Sequence, residues 1–111
     1  MICEAGDVVV VPFPFSDIPV SKARPAVVVS SAGMNGGEGA TVLAMVTTAA
    51  GGSRSGDTPI SDLTEAGLKT PCVVRLKLFT LDNRLISRRI GSLAPKDRRA
   101  ASQAIRTLIA I

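Results

Sequence analysis

Residues 72–79 have the sequence CVVRLKLF, and this stretch is the strongest indicator of the fold. The even positions from 74 to 78 are apolar, whereas the odd positions include two cations, Arg75 and Lys77. A two-residue period is that of a β-strand, whose successive side chains point to opposite faces. We therefore predict a strand with one apolar face and with Arg75 and Lys77 side by side on the other.

Shorter stretches of the same kind lie on both sides of this strand. Runs rich in β-branched or apolar residues predict further strands at residues 7–13, 25–31, 41–47, 58–61 and 86–90. The glycines of residues 33–39 predict a flexible turn, and Gly67 is expected to end a single helical turn. Pro95 suits the first position of a helix, which carries an apolar stripe from Ala101 to Leu108.

This order of elements predicts a fold that is mainly β. We expect a small, strongly bent antiparallel sheet or barrel, followed by a C-terminal α-helix. The chain has 111 residues, enough for one domain, 1–111, with a core of its own. Residues 108–111 are all apolar, so we expect another surface to bury them. We expect them to dock on the protein's own sheet, and the alternative is a subunit interface.

The composition excludes several kinds of site. The sequence has no His, Trp or Tyr, so neither a Ser-His-Asp triad nor a histidine-based acid–base pair can be present. Its two cysteines, Cys3 and Cys72, match no zinc or redox spacing, so we expect no metal and no cofactor. A Cys3–Cys72 disulfide stays open, with two buried reduced thiols of a cytoplasmic protein as the expected state. The N-terminus carries no Lys or Arg before residue 22 and no membrane span, so we predict neither secretion nor membrane insertion.

Charge is unevenly distributed along the chain. Residues 1–55 hold three cations and four carboxylates, whereas residues 56–111 hold ten cations and five carboxylates. Nine of the 13 cations are arginines, whose guanidinium forks suit phosphate groups. This balance fits a polyanionic partner such as a nucleic acid, and it fits equally a basic surface that binds none.

Three groups of residues resemble the MazF/PemK toxins. The first is Gly6-Asp7-Val8-Val9 with Pro12-Phe13-Pro14-Phe15, followed by Lys22-Ala23-Arg24-Pro25 and a run of Ala-Val-Val-Val. The second is Met45-Val46-Thr47-Thr48 at the end of the third predicted strand, and the third is the segment 73–82. The resemblance covers nearly the whole chain, in order and at the spacing of the family.

The resemblance implies a CcdB/MazF-type barrel, related to SH3-like barrels, that forms a homodimer. It also implies the toxin of a type II toxin–antitoxin system. Such a toxin is a metal-independent endoribonuclease that cuts single-stranded RNA at short sequences, and its cognate antitoxin holds it inactive. Metal-free cleavage uses the ribose 2′-OH as nucleophile. The site must accept the 2′-OH proton, stabilise the phosphate and protonate the departing 5′-oxygen.

The resemblance implies three catalytic residues. Arg24 matches the family's catalytic arginine, and its fork can stabilise the phosphate as negative charge develops. Thr47 matches the catalytic threonine, whose hydroxyl can donate a hydrogen bond to a phosphate oxygen. Arg75 matches a catalytic arginine of the PemK branch, but Lys77 stands where that branch has an aspartate thought to act as base. This departure leaves open whether Arg75 and Lys77 only bind phosphates.

Further residues are expected to line an RNA groove. Phe15 is the loop aromatic available for stacking on a base. Asp17, in the same loop, is the first carboxylate to test as the base, and its alternative role is to form the turn. The other expected RNA contacts are Lys22, Thr48, Arg54 and Lys77.

Two other functions stay open. A barrel of the same fold could bind RNA or a protein without cutting, which the departure at Lys77 favours. CcdB-like gyrase poisons share the fold, but they end in a Trp-Gly-Ile triplet, whereas this chain ends in Ile109-Ala110-Ile111. The sequence therefore disfavours the gyrase poison. A cleavage assay with purified protein separates an endoribonuclease from a barrel that only binds.

Overall fold

The computed structural model describes residues 1–12, 22–52 and 54–111. Its strands are β1 (Asp7–Pro12), β2 (Ala23–Val28), β3 (Ala40–Thr48), β4 (Thr58–Pro59), β5 (Cys72–Asp82) and β6 (Arg88–Ser92). Its helices are α1 (Ala32–Glu38), α2 (Leu63–Ala66) and α3 (Pro95–Leu108), with short 3-10 turns at Ala49–Gly51 and Asn83–Leu85. Every predicted strand is present, with boundaries shifted by a few residues. Among the described residues, no helix combines the length and apolar character needed to cross a membrane.

In the described part of the chain, six strands form one antiparallel sheet in the order β4-β5-β3-β2-β1-β6. β3 is central, because each of its residues has a partner in β5 along one edge and residues 43–45 pair with β2 along the other. The sheet curls so that α2, which follows the edge strand β4, packs on the opposite edge strand, β6. The predicted mainly β fold with a C-terminal helix is confirmed, as a curled sheet.

Two glycines allow α2 to approach β6 closely. Gly67 ends α2 with a left-handed φ of 74°, as predicted from the sequence. A Cβ atom on Gly67 would collide with the carbonyl oxygen of Ile90, and one on Gly91 would collide with the backbone of Ala66. The contact between α2 and β6 therefore bridges the two edges of the sheet and maintains its curl.

The described residues form two hydrophobic clusters, which correspond to the two faces of the sheet. One contains Val8, Val27, Ala44, Val46, Val74, Leu93 and Ala101, and the other contains Val9, Val11, Val28, Leu43 and Phe79. Cys72 lies in the first cluster and Cys3 in the second, and both are buried free thiols. Burial and the nearby Asp7 carboxylate raise the pKa of the Cys3 thiol. The two cysteines are therefore buried, as predicted, and lie in different clusters.

The glycine-rich segment that predicted a flexible turn forms helix α1, so that prediction is wrong. Ser31 caps the first turn of the helix with its hydroxyl. Fully buried Asn35 holds the helix in place, because its side-chain amide donates to the backbone oxygens of Cys3 at 2.9 Å and Ser30 at 3.2 Å. Asn83 in turn donates to the backbone oxygen of Asn35 at 2.8 Å. These hydrogen bonds outweigh the low helix propensity of glycine. The bonds to Cys3 and Asn83 join residues too distant in sequence to be predicted.

Strand β5 is interrupted by a bulge. Ala44 pairs with Leu78, whereas the next residue of β3, Met45, pairs with Arg75. Two residues of β5, one of them exposed Lys77, therefore lie between these two register positions. Such a bulge bends the strand and increases its local twist. The predicted strand is confirmed, but the regular face expected for Arg75 and Lys77 is interrupted between them.

Helix α3 packs on the sheet with its apolar stripe. Ala101 is buried, and Ala104 and Ile105 are half-buried, so this part of the predicted stripe is confirmed. Large side chains beyond it are exposed: Leu108 by 47%, Ile109 by 51% and Ile111 by 117%. The expectation that residues 108–111 dock on the protein's own sheet is therefore wrong for the single chain, because the burial of α3 ends at Ile105.

Asp97 anchors α3 to the segment between β4 and α2. This buried carboxylate accepts hydrogen bonds from the backbone N–H groups of Ser61 at 3.0 Å and Asp62 at 3.0 Å, and from the Ser61 hydroxyl at 2.7 Å. Burial by itself raises the pKa of Asp97, but the hydrogen bonds from Asp62 and Ser61 outweigh it. The pKa of Asp97 is therefore lowered from its ordinary value.

We predict that Asp97→Asn lowers the free energy of unfolding by about 1–3 kcal/mol at about pH 7, because it weakens charge-assisted hydrogen bonds. The pKa of Asp97 is lower in the folded than in the unfolded state. Its contribution is therefore complete above about pH 4 and is lost as the pH falls through the folded-state pKa. Urea denaturation across this pH range measures the effect, with the exposed Glu38→Gln change as control. Equal stability of wild type and variant near neutral pH would contradict this role.

Candidate active site

A cavity of about 220 Å³ opens where β2 begins and β3 ends. The described part of its wall consists of Arg24, Pro25, Val46, Thr47, Thr48, Leu68, Thr70 and Cys72. Arg24 is exposed and Thr47 is half-buried, and both residues contribute to the wall of the same hollow. The structure thus brings together two of the three residues that the sequence resemblance implies to be catalytic.

The strand register explains why Arg24 and Thr47 meet. Ala26 of β2 pairs with Met45 of β3. When this antiparallel register is continued by two residues, Arg24 lies across from Thr47. On its other side Arg24 pairs with Val11 of β1. Both residues are therefore held on neighbouring strands of one sheet, although they are distant in sequence.

The cavity offers positive charge and hydrogen-bond donors. The planar fork of the Arg24 guanidinium fits two oxygens of a phosphate. Thr47, Thr48 and Thr70 each add a neutral hydroxyl that can donate one hydrogen bond. The described wall contains no carboxylate, and no group of three Cys, Asp or Glu in the described residues is placed to hold a metal ion. The arrangement suits an anion whose charge grows during a reaction.

An apolar shelf extends the cavity. This second hollow, of about 470 Å³, is lined by Thr48, Ala49, Ala50, Thr70 and Pro71. Thr48 and Thr70 belong to both walls, so the two hollows adjoin, and we refer to them together as the groove. The methyl groups of Ala49 and Ala50 and the ring of Pro71 make an apolar floor without charge. Such a surface suits the flat face of a base or a ribose.

Arg75 lies outside this wall and forms an ion pair with Asp57. Its Nε donates to Asp57 Oδ1 at 3.1 Å, and its Nη2 donates to Oδ2 at 2.9 Å. The hydrogen bonds from Arg75 are the main reason that the pKa of Asp57 is lowered, and Asp57 in turn raises the pKa of Arg75. A carboxylate with a lowered pKa is a weak proton acceptor, so Asp57 is poorly suited to act as a base.

Comparison with known proteins establishes the family. The sequence matches, over residues 4–109, the family model of the PemK-like, MazF-like toxin of type II toxin–antitoxin systems. The chain belongs to this family. The resemblance to MazF/PemK toxins found in the sequence motifs is therefore confirmed. No curated protein matches the sequence.

Solved structures of MazF toxins share the fold. The chain is similar to MazF of Deinococcus radiodurans, with a TM-score of 0.76 and 21% identity over 97% of this chain and 96% of that one. For the Mycobacterium tuberculosis toxin MazF-mt6, the TM-score is 0.72, with 21% identity over 91% of this chain and 93% of that one. For a mycobacterial endoribonuclease in complex with its cognate antitoxin, the TM-score is 0.71, with 18% identity over 96% of this chain and 91% of that one.

The predicted RNA contacts differ in whether they line the groove. Thr48 lines both hollows. Lys22 is exposed two residues before Arg24. Arg54 and Lys77 are also exposed, but neither belongs to the wall of the cavity or of the shelf.

Two predicted residues, Phe15 and Asp17, lie outside the described residues. Conversely, the sequence analysis missed Asp57 and the wall residues Leu68 and Thr70. Asp57 precedes β4, which has only two residues, so its position beside β5 could not be predicted from a pattern. Leu68 and Thr70 reach the cavity because the chain turns back after α2, which depends on packing against β6.

Proposed function

We propose that this MazF-like toxin is a metal-independent, sequence-selective endoribonuclease that cuts single-stranded RNA. The observation that carries the proposal is the position of Arg24 and Thr47 in one open cavity at the ends of β2 and β3. A guanidinium and a neutral hydroxyl suit a phosphate whose charge increases in the transition state. Membership of the family, and a similar structure described as an endoribonuclease, support the same activity.

In the proposed reaction, the 2′-OH of one ribose attacks the adjacent phosphorus. The O2′–P bond forms and the P–O5′ bond breaks, which yields a 2′,3′-cyclic phosphate and a 5′-OH. A base accepts the 2′-OH proton, and the departing 5′-oxygen gains a proton. Arg24 binds the non-bridging oxygens as their charge grows, and Thr47 donates a hydrogen bond to the same phosphate. Both residues act by stabilising charge, and neither has to exchange a proton.

The remaining roles fall to residues around the cavity. Because the described wall offers no carboxylate, Asp17 is the first residue to test as the base. We assign the shelf at Ala49 and Ala50 to the nucleotide next to the scissile phosphate. Single-stranded RNA suits this arrangement, because its backbone can rotate towards in-line attack and its bases can leave the stack. We assign Phe15 to base stacking, and we assign further phosphate contacts to exposed cations.

We propose a cognate antitoxin and a second copy of the chain as protein partners in the cytoplasm. The exposed apolar residues 108–111 offer a surface that a second subunit can cover. A Deinococcus radiodurans MazE–MazF complex is similar to this chain, with a TM-score of 0.76 and 20% identity over 100% of this chain and 98% of that one. A disordered acidic antitoxin segment would suit the formal net charge of +4.

We expect Arg24→Ala and Thr47→Ala each to lower the cleavage rate by about 10²–10³-fold, because each removes one stabilising contact to the developing charge. The assay is cleavage of a long, mostly unstructured RNA in EDTA, with cut positions mapped by primer extension. Arg99→Ala and Thr80→Ala, which change exposed residues outside the groove, serve as matched controls. Circular dichroism checks that all four variants are folded.

Two results would contradict the proposal. Folded wild-type protein that cuts none of several RNAs would favour a barrel that only binds. Wild-type rates in Arg24→Ala would show that the cuts do not come from this cavity.

Filling the groove provides an independent prediction. Thr70 is exposed and borders both hollows, so Thr70→Trp places an indole ring where we expect the RNA to lie. We expect a folded protein with a lower kcat/KM, mainly through a higher KM, because the change obstructs binding. Thr80→Trp, at the other end of β5, is the matched control. An unchanged KM in Thr70→Trp would place the RNA elsewhere.

A further inference from the structure

Asp57 occupies both hydrogen-bond donors on one edge of the Arg75 guanidinium. Asp57 accepts from Nε at 3.1 Å and from Nη2 at 2.9 Å, in a two-point ion pair. The side chain of Arg75 is 14% exposed and that of Asp57 is 2% exposed. A phosphate could take the same edge of the fork only by displacing Asp57, which would leave a buried carboxylate without its cation. Such a separation is costly, so the ion pair opposes binding of a phosphate by this edge of the Arg75 guanidinium.

Asp57 also holds the turn at residues 54–57. The N–H of Arg54 donates to Asp57 Oδ2 at 2.7 Å, and the N–H of Asp57 donates to the carbonyl oxygen of Arg54 at 3.0 Å. A Cβ atom on Gly56 would lie 2.7 Å from Cδ1 of Leu76, a residue of the β5 bulge. The turn is thus held against β5 by the ion pair and by the close contact between Gly56 and Leu76.

The same turn leads into β4 and carries exposed Arg54, one of the cations predicted to contact RNA. The apolar shelf at Ala49 and Ala50 is held separately, because the N–H of Ala49 donates to the carbonyl oxygen of Pro71 at 3.0 Å. The ion pair between Asp57 and Arg75 therefore fixes the position of the turn and of Arg54.

We propose that Asp57 and Arg75 form a positioning pair, which fixes the turn at residues 54–57 and thereby holds Arg54 in place to contact the RNA. The inference rests on the proposed ribonuclease function and deepens it. Arg75 acts on cleavage through Asp57 and this turn, and not by touching the phosphate, which differs from the catalytic role that the family resemblance implies. The pair determines how tightly RNA binds and which positions are cut, whereas Arg24 and Thr47 determine the rate once the RNA is bound.

A double-mutant cycle with Asp57→Ala, Arg75→Ala and the double variant tests the proposal. Each single change should raise KM for RNA by about tenfold, and the double variant should be no worse than either, since all three lose the same ion pair. The rate at saturating RNA should stay near that of the wild type, and primer extension should show altered cut positions. A catalytic arginine predicts the opposite: a large loss of kcat in Arg75→Ala and little change in Asp57→Ala.

Exchange of the two residues, Asp57→Arg with Arg75→Asp, gives a second readout. A re-formed ion pair should restore KM and the wild-type cut positions. If the exchanged protein does not fold, Asp57→Asn tests the same point, with a KM between those of the wild type and Asp57→Ala. Loss of kcat confined to the Arg75 variants would overturn the inference while wild-type cleavage upholds the proposed function. A wild-type protein that cuts no RNA would overturn the proposed function, and this inference with it.

Discussion

The antiparallel pairing of β3 with β5 is the constraint on which the rest of the structure depends. Every residue of β3 has a partner in β5, and the pairing continues across the bulge that follows Ala44. Because residues 43–45 of β3 also pair with β2, the middle of β3 is fixed from both sides, and the continued register places Thr47 across from Arg24. The bulge in β5 brings Leu76 against the turn at residues 54–57. One pairing therefore positions both the cavity and this turn.

A site without histidine has to work by charge and geometry. The described wall of the cavity contains one guanidinium and several hydroxyls, and none of these groups has to change its protonation state to stabilise a phosphate. Rigid placement matters more in such a site than pKa adjustment, because oriented donors act without reorganising during the reaction. We therefore assign charge stabilisation to Arg24 and Thr47, and the position of the turn at residues 54–57 to Arg75 and Asp57.

The sequence predicted the strands well because the alternation of side chains is a local property. Local patterns or motifs were enough to recognise the strands, the end of α2 at Gly67, the helix after Pro95 and the candidate pair Arg24 and Thr47. Helix α1 was missed because buried Asn35 obtains its partners from distant segments. Asp57 was missed for the same kind of reason, since the two-residue strand β4 gives no signal of its register. Long-range hydrogen bonds and ion pairs determine what local patterns cannot.

The chemical identity of the RNA ends tests the central claim most directly, because it reports how the phosphate was attacked. The measurement is mass spectrometry of fragments produced by the wild-type protein in EDTA. Our account predicts that upstream fragments end in a 2′,3′-cyclic phosphate and downstream fragments begin with a 5′-OH, and that a 2′-deoxyribose at the cut position blocks cleavage. Fragments with 3′-OH and 5′-phosphate ends would show attack by water on the phosphate and would contradict the account.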